Sequence, residues 1–398
     1  MGQYSFIHLR QCTRVPDPLR LERCRRSPEF GPRILFFSGG TALRKTVRVL
    51  KEFTHNSIHL VTPFDSGGSS AHLREAFGML SIGDVRNRIM ALANETQKGN
   101  PAIYGLFNHR FSMVGDEAER VAELSKMVAG ESDLVREVPS PMRRLVQENL
   151  GFFKSAMPAS FPLAGASVGN LILVGGYLNY NRDIDSVVYL FSKLVDALGE
   201  VWPIVDSQAH LMVQLENGEE IVGQHLFTGK EEPPISSPIE EIRLVESLAS
   251  TAPVQATIQH KIRGMITKAD LICFPFGSFY SSIVANLLPR GVGQALRDSG
   301  APKLYIPSLG VDPEVKGKRL SDMVREIVDR INADLSTQGR YPGLDLVMLD
   351  PRVDYQFEVD EKAVEDLGVS IAFVNLTSDS GTRKFCPTKV SEALISLA

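Results

Sequence analysis

The 398-residue chain has a single tryptophan, only four cysteines, and no run approaching the ~20 apolar residues that a membrane span needs. Cys12, Cys24, Cys273 and Cys386 are far apart and form neither a C-x-x-C pair nor any other metal-ligand spacing, so they read as reduced thiols. An excess of one charge is missing too. Forty-three Lys and Arg against 47 Asp and Glu leave a net charge of −4 and a pI near 6.1, which gives no global reason to expect nucleic-acid binding. The opening residues lack the apolar core of a signal peptide, so a cytoplasmic location away from membranes is expected. With 43% hydrophobic residues and a mean hydropathy of −0.04, the chain reads as an ordinary globular protein. Its length suits one large α/β domain or two ordinary ones.

Residues 1–32 carry Arg10, Arg14, Arg20, Arg23, Arg25 and Arg26 among several prolines, without sustained periodicity. They read as a basic extension, an arm packed on its own domain or on a second subunit, which leaves a homodimer open.

From Arg33 the pattern turns regular. Ile34 to Phe37 reads as a buried strand, Ser38-Gly39-Gly40-Thr41-Ala42 as a turn and Leu43 to Phe53 as a helix. Ile58 to Val61 reads as a second strand, followed by short helices over 71–77 and 85–93. The rhythm returns at Leu271–Phe274, Lys303–Ile306, a helix from about 319 to 336, and strands near 345–349 and 370–374. Between these lie a helical stretch over 114–158 (an insertion or cap), a buried helix at Leu171–Val174, an amphipathic helix over 183–198, and a hairpin around Asn217-Gly218. Residues 228–238 read as a linker or loop. Such alternation predicts a mainly parallel sheet in a three-layer Rossmann-like α/β fold, with ligand sites at the carboxyl ends of the strands.

Three strand-turn-helix junctions and one helix start carry the chemistry. Ser38-Gly39-Gly40-Thr41 can turn backbone N–H groups toward a phosphate, with Arg44 just beyond it, or it can simply pack tightly. Asp65 ends the second strand and precedes Ser66-Gly67-Gly68-Ser69-Ser70. There a carboxylate can hold Mg²⁺ while the glycines admit a ligand, or Asp65 and a serine can cap the next helix. Gly83-Asp84-Val85-Arg86-Asn87-Arg88 places Asp84 and Asn87 on one helical face toward the same cleft; the alternative is an N-cap at Asp84 with an Asp84–Arg88 surface pair. Gly277-Ser278 opens a further junction that can add backbone donors and hydroxyls. Arg44, Arg74 and Arg86 could offset phosphate charge. His72 and His109 are isolated, and no zinc site or catalytic triad is apparent. Nor does any turn match the dinucleotide spacing of an NAD enzyme.

Taken in order, these four motifs and Ser167-Val168-Gly169-Asn170-Leu171 resemble the CofD-like superfamily, which joins 2-phospho-L-lactate transferase to the YvcK-type (UPF0052) gluconeogenesis factors. The resemblance runs from about Arg33 to the C-terminus, is closer to the YvcK-type branch over Asp65–Ala93, and implies one domain over 33–398. It implies a nucleotide-diphosphate or nucleotide-sugar ligand bound by Ser38, Gly39, Gly40, Thr41, Arg44, Ser66, Gly67, Gly68, Ser69, Ser70, Asn87, Asn170, Gly277 and Ser278. On the transferase branch, Asp65 and Asp84 would hold Mg²⁺ and serve catalysis, as a phospholactyl-type group passes from a guanosine diphosphate-linked donor to an acceptor hydroxyl. On the other branch the protein would be a non-enzymatic UDP-sugar-binding regulator. The family's Gly-Gly-Thr-Gly becomes Gly39-Gly40-Thr41-Ala42. Its Asp-Asp-Gly-Gly becomes Asp65-Ser66-Gly67-Gly68, removing one metal ligand.

Overall fold

Unbroken apolar runs are the signature of strands covered on both faces, and here they become the centre of a parallel sheet. The computed structural model describes residues 13–95, 100–335, 341–378 and 383–398. Among these residues the strands are β1 (Ile34–Ser38), β2 (Ile58–Val61), β3 (Glu200–Pro203), β4 (His210–Leu215), β5 (Glu220–Val222), β6 (Ile239–Val245), β7 (Leu271–Phe274), β8 (Lys303–Tyr305), β9 (Leu346–Leu349) and β10 (Ser370–Phe373). Seven form one sheet in the order β10-β9-β8-β7-β1-β2-β3, every pairing parallel. β1, β2, β7 and β8 are buried throughout.

The chain winds from β1 through β2 to β3 on one side and from β7 through β8 and β9 to β10 on the other. The reversal falls between β1 and β7, where a crevice opens at the carboxyl ends. Alternation along β1 splits the core into two layers. Phe36 faces the helices Arg44–Leu50, Gly83–Leu92, Val168–Asn179 and Pro387–Leu397. Leu35 and Phe37 face the helices His260–Thr267, Val292–Asp298 and Leu320–Ala333, together with a small antiparallel sheet ordered β5-β4-β6. The three-layer Rossmann-like expectation holds, and the expected hairpin is present as β4-β5.

The 114–158 stretch is helical, as expected, through Glu117–Ala129, Asp133–Arg136 and Met142–Ala156. The last of these packs on the Val168–Asn179 helix, buried from Val168 to Tyr177 because it is apolar on every side. Gly175 makes that crossing close, since a Cβ there would run into the backbone carbonyl of Asn149.

Several elements differ from the sequence reading. The hairpin gains a third strand, β6, and the edge strand β3 was not foreseen; both are short or charged, and partner pairing defines them rather than their own pattern. The helix expected within 280–298 is broken, because Pro289 and Gly291 (φ +96°) separate a π-helical turn at Phe279–Val284 from Val292–Asp298. The described part of the leader, from residue 13, is not irregular. Pro18–Arg26 is a helix with proline in its first turn, capped by the Asp17 carboxylate on the N–H groups of Leu19 and Arg20. It docks on its own chain: the Asp17 N–H donates to Ser396 Oγ at 2.8 Å, and the Arg25 guanidinium lies 4.8 Å from the Phe53 ring centroid. Arg10 and Cys12 lie outside the described residues. Among the described residues no helix is long and apolar enough to cross a membrane.

Gly175→Ala should push these two helices apart and cost about 1–3 kcal/mol, outweighing the gain in helix propensity of about 1 kcal/mol. A fall in the thermal midpoint, with far-UV circular dichroism unchanged at 20 °C on the order of a native fold, would confirm the contact; an unchanged midpoint would refute it.

Candidate functional site

The crevice is built from the turns that leave β1, β2, β7 and β8. After β1, Gly40 lies directly under Asp84 and donates its N–H to that carboxylate; a Cβ on Gly40 would collide with it. Asp84 comes from the first turn of the Gly83–Leu92 helix, whose N-cap is Ile82, so the N-cap reading of Asp84 does not hold. The expected Asp84–Arg88 surface pair does not hold either. Arg88 is fully buried and donates to Gly39 O at 2.7 Å and Ser38 Oγ at 3.2 Å, locking the β1 turn from below. Asn286 adds a bond to Ser38 O.

After β2, Asp65 accepts the N–H of Gly67 at 3.1 Å. No side chain caps the Gly68–Phe77 helix that follows, which leaves its first N–H groups for another acceptor. Ser70 is buried against Gly83, where a Cβ would lie 2.8 Å from Ser70 Oγ and 3.9 Å from Asp65 Oδ2. Asp65, Ser70, Gly83 and Asp84 therefore share one wall. Burial, reinforced by the charge of Asp65, pushes the Asp84 carboxyl up to about 6, and Arg88 and Lys230 pull the other way.

Other residues singled out in the sequence take different partners. The Ser66 hydroxyl pairs with His225 Nδ1 at 2.9 Å. Arg74 is buried and bonds the carbonyl oxygens of Phe64, Asp65, Gln208 and Ala209, so it orders the β2 turn instead of offsetting phosphate charge. Asn170 accepts from Arg86 Nε at 3.1 Å. Thr41 and Arg44 are exposed beside the β1 turn, while Gly68 is exposed and Ser69 half-buried at the β2 turn. Asn87 is half-buried one turn beyond Asp84.

Gly277 and Ser278 line a cavity of ≈590 Å³ beside Ala42. Three of the backbone donors of this junction are already partnered. Gly277 N–H donates to Ser308 Oγ, Phe279 N–H to Asp312 Oδ2 and Ser281 N–H to Glu314 Oε2, at 2.8–2.9 Å. The cavity is rimmed by the basic side chains Lys45, Lys230, Arg383 and Lys384. Glu314 is fully buried, and burial with the neighbouring Asp312 pushes its carboxyl up to about 8.

These additions escaped the sequence reading. The 228–238 loop brings the Lys230 charge to bear on Asp84, Asp312 and Glu314 and seats the Glu231 carboxylate against Gly67. Ser308-Leu309-Gly310 after β8 repeats the strand-then-glycine-turn signal and could have been found that way. Nothing local marks Lys230 or Arg383.

A family model described as 2-phospho-L-lactate transferase CofD matches residues 34–377. The gluconeogenesis factor of Listeria monocytogenes is 24% identical over 373 residues, covering 93% of this chain and 96% of that protein. That of Halalkalibacterium halodurans is 27% identical over 374 residues, covering 91% and 95%. A crystal structure of a UPF0052-family protein from Bacillus halodurans has the same fold, with a TM-score of 0.67 at 24% identity over 92% of this chain and 98% of that one.

The raised pKa of Asp84 means that the folded protein holds this proton more tightly than the unfolded chain does. The resulting penalty is absent below pH 3.8, grows as the pH rises toward about 6 and is fully present above that. Asp84→Asn should therefore stabilise the ligand-free protein at pH 8, by something on the order of 2 kcal/mol, with little effect near pH 4. Denaturation midpoints of both proteins at the two pH values test this; a destabilised variant at pH 8 would contradict it.

Proposed function

Because the chain belongs to the 2-phospho-L-lactate transferase CofD family, we propose that it binds a nucleoside diphosphate compound across the carboxyl ends of β1, β2, β7 and β8 and transfers a phospholactyl-type group to an acceptor hydroxyl. The observation that carries this reading is the Asp65–Asp84 wall set against Gly40, next to a cavity rimmed by Lys45, Lys230, Arg383 and Lys384.

A carboxylate such as Asp84, whose ionisation burial and the neighbouring Asp65 make costly, suits a hard divalent cation, which takes carboxylate oxygens together with substrate phosphate and water. Asp65 and Asp84 would hold Mg²⁺, and the bound ion would supply charge neutralisation at the diphosphate. The chain itself contributes positioning. The Gly40 N–H fixes Asp84, Arg88 rigidifies the β1 turn and Arg74 the β2 turn, and the lysines draw in the anionic ligand. In the reaction the acceptor oxygen bonds to the phosphorus of the transferred group as the bond to the bridging oxygen breaks. The nucleoside monophosphate leaves with that electron pair, and the hydroxyl proton is released. The free thiols Cys24, Cys273 and Cys386 agree with a cytoplasmic setting.

A second reading is a UDP-sugar-binding regulator of central metabolism without turnover. It is favoured by the pairing of Ser66 with His225 where the family places a second aspartate, and by relatives named as gluconeogenesis factors.

A thermal-shift panel of GDP, GTP, UDP-glucose and UDP-N-acetylglucosamine, with and without Mg²⁺, separates the two, since a cognate ligand at about 100 times its Kd adds about 2.7 kcal/mol. Guanine nucleotides should stabilise, more strongly with Mg²⁺, and Asp65→Asn should abolish turnover with a modest loss of nucleotide affinity. Wild-type turnover in that variant would sink the transferase assignment. UDP-sugar binding without consumption would decide for the regulator.

A further inference from the structure

Behind the β2 turn, between the Gly68–Phe77 helix and the small antiparallel sheet, lies a second cavity of ≈480 Å³. The helix contributes Arg74 and Glu75, the start of β4 contributes His210, and the segment after β6 contributes Glu246 and Leu248. It is separate from the crevice, since neither Asp65, Asp84 nor any basic residue of the lysine-rimmed cavity lines it. Cavities that take small ligands run from about 300 to 1,000 Å³, so its size admits one.

The inner end carries a positive group with no matching negative one. Arg74 is 6% exposed, and among the described residues no carboxylate lies within ion-pair distance of it. Nη1 donates to the carbonyl oxygens of Phe64 and Asp65, and Nη2 to those of Gln208 and Ala209 and to His210 Nε2 at 3.0 Å. Nε is buried without a partner. A guanidinium has no acceptor, so His210 Nε2 must accept and the ring proton sits on Nδ1. Burial, with the charges of Arg74 and His225, pushes the pKa of this ring down to about 4, so it is neutral at physiological pH. Its Nδ1–H is a second buried donor without a partner. One desolvated charge and two unmatched donors are costly, and the cost falls when an anion occupies the space beside them.

The mouth has the opposite sign. Glu75 and Glu246 are exposed there, and among the described residues neither has an ion-pair partner. Apolar wall accompanies both ends, with Met79 buried and Leu248 47% exposed.

We propose that this cavity binds a small zwitterion whose carboxylate and ammonium stand at opposite ends of a short apolar chain. The carboxylate turns to Arg74 and His210, the chain covers Met79 and Leu248, and the ammonium meets Glu75 and Glu246. A simple anion would be repelled by the two carboxylates at the mouth, and a simple amine would be driven off by the guanidinium; a ligand with both signs suits both ends. The site stands apart from the nucleotide reading and does not depend on it.

Calorimetric titration of the full chain with 4-aminobutanoate, 5-aminopentanoate and 6-aminohexanoate tests this. At least one should bind. Pentanoate and pentylamine, which keep one charge each, should bind about tenfold or more weakly than 5-aminopentanoate, as should L-norvaline, which has the same atoms with its two charges adjacent. His210→Phe keeps a ring and removes Nδ1–H, and Glu246→Gln removes one rim charge; each should weaken the zwitterion about tenfold. Glu246 is exposed, so its variant reports even if His210→Phe fails to fold. Failure of all three zwitterions to bind, equal binding of pentanoate or L-norvaline, or wild-type binding in Glu246→Gln overturns the site.

Discussion

The parallel pairing of β1 with β7 is the constraint on which the rest depends. It joins Ile34 to Leu271 and Phe36 to Cys273 across more than half the chain. Because β2 and β8 are laid down on opposite sides of this pair, the chain cannot cover its carboxyl ends with a crossover helix there. The turns at Gly39-Gly40 and Gly277-Ser278 are left side by side and open. A Cβ on Gly277 would come within 3.5 Å of Ala42, so the two turns meet across that gap.

Around the gap the protein buries charges that are expensive to bury. Arg74 and Arg88 donate to backbone carbonyls at the ends of β2 and β1 and so hold the turns, while Arg74 Nε and Arg88 Nε and Nη1 have no partner among the described residues. Asp312 and Glu314 likewise hold the N–H groups that start the turn after β7. Asp84 and Arg86 are desolvated as well, Asp84 held by the Gly40 N–H and Arg86 by Asn170 Oδ1, and burial shifts the pKa of each toward its neutral form.

Much of this was legible in the sequence because it is local. A buried run followed by Gly39-Gly40, Asp65-Ser66-Gly67-Gly68 or Gly277-Ser278 specifies strand, turn and helix through short-range sterics, and the apolar Leu171–Val174 run reads as buried. The departures arise where distant segments compete for the same groups. Ser66 turns to His225, 159 residues on, and the donors after β7 are taken by carboxylates from the β8 turn. Lys230 sits in a stretch of proline, glycine and charge that has no period at all, and β6 becomes a strand only by pairing with β4.

The sequence by itself determined the α/β rhythm, the glycine turns and the acidic residues beside them, because periodicity and backbone freedom act within a few residues. The tertiary structure alone decided which partner each buried charge finds. That depends on which donor reaches which acceptor once Asp65, Asp84, Arg86 and Lys230 are brought to one end of the sheet. Burial then raises the energy of every charge left without a partner.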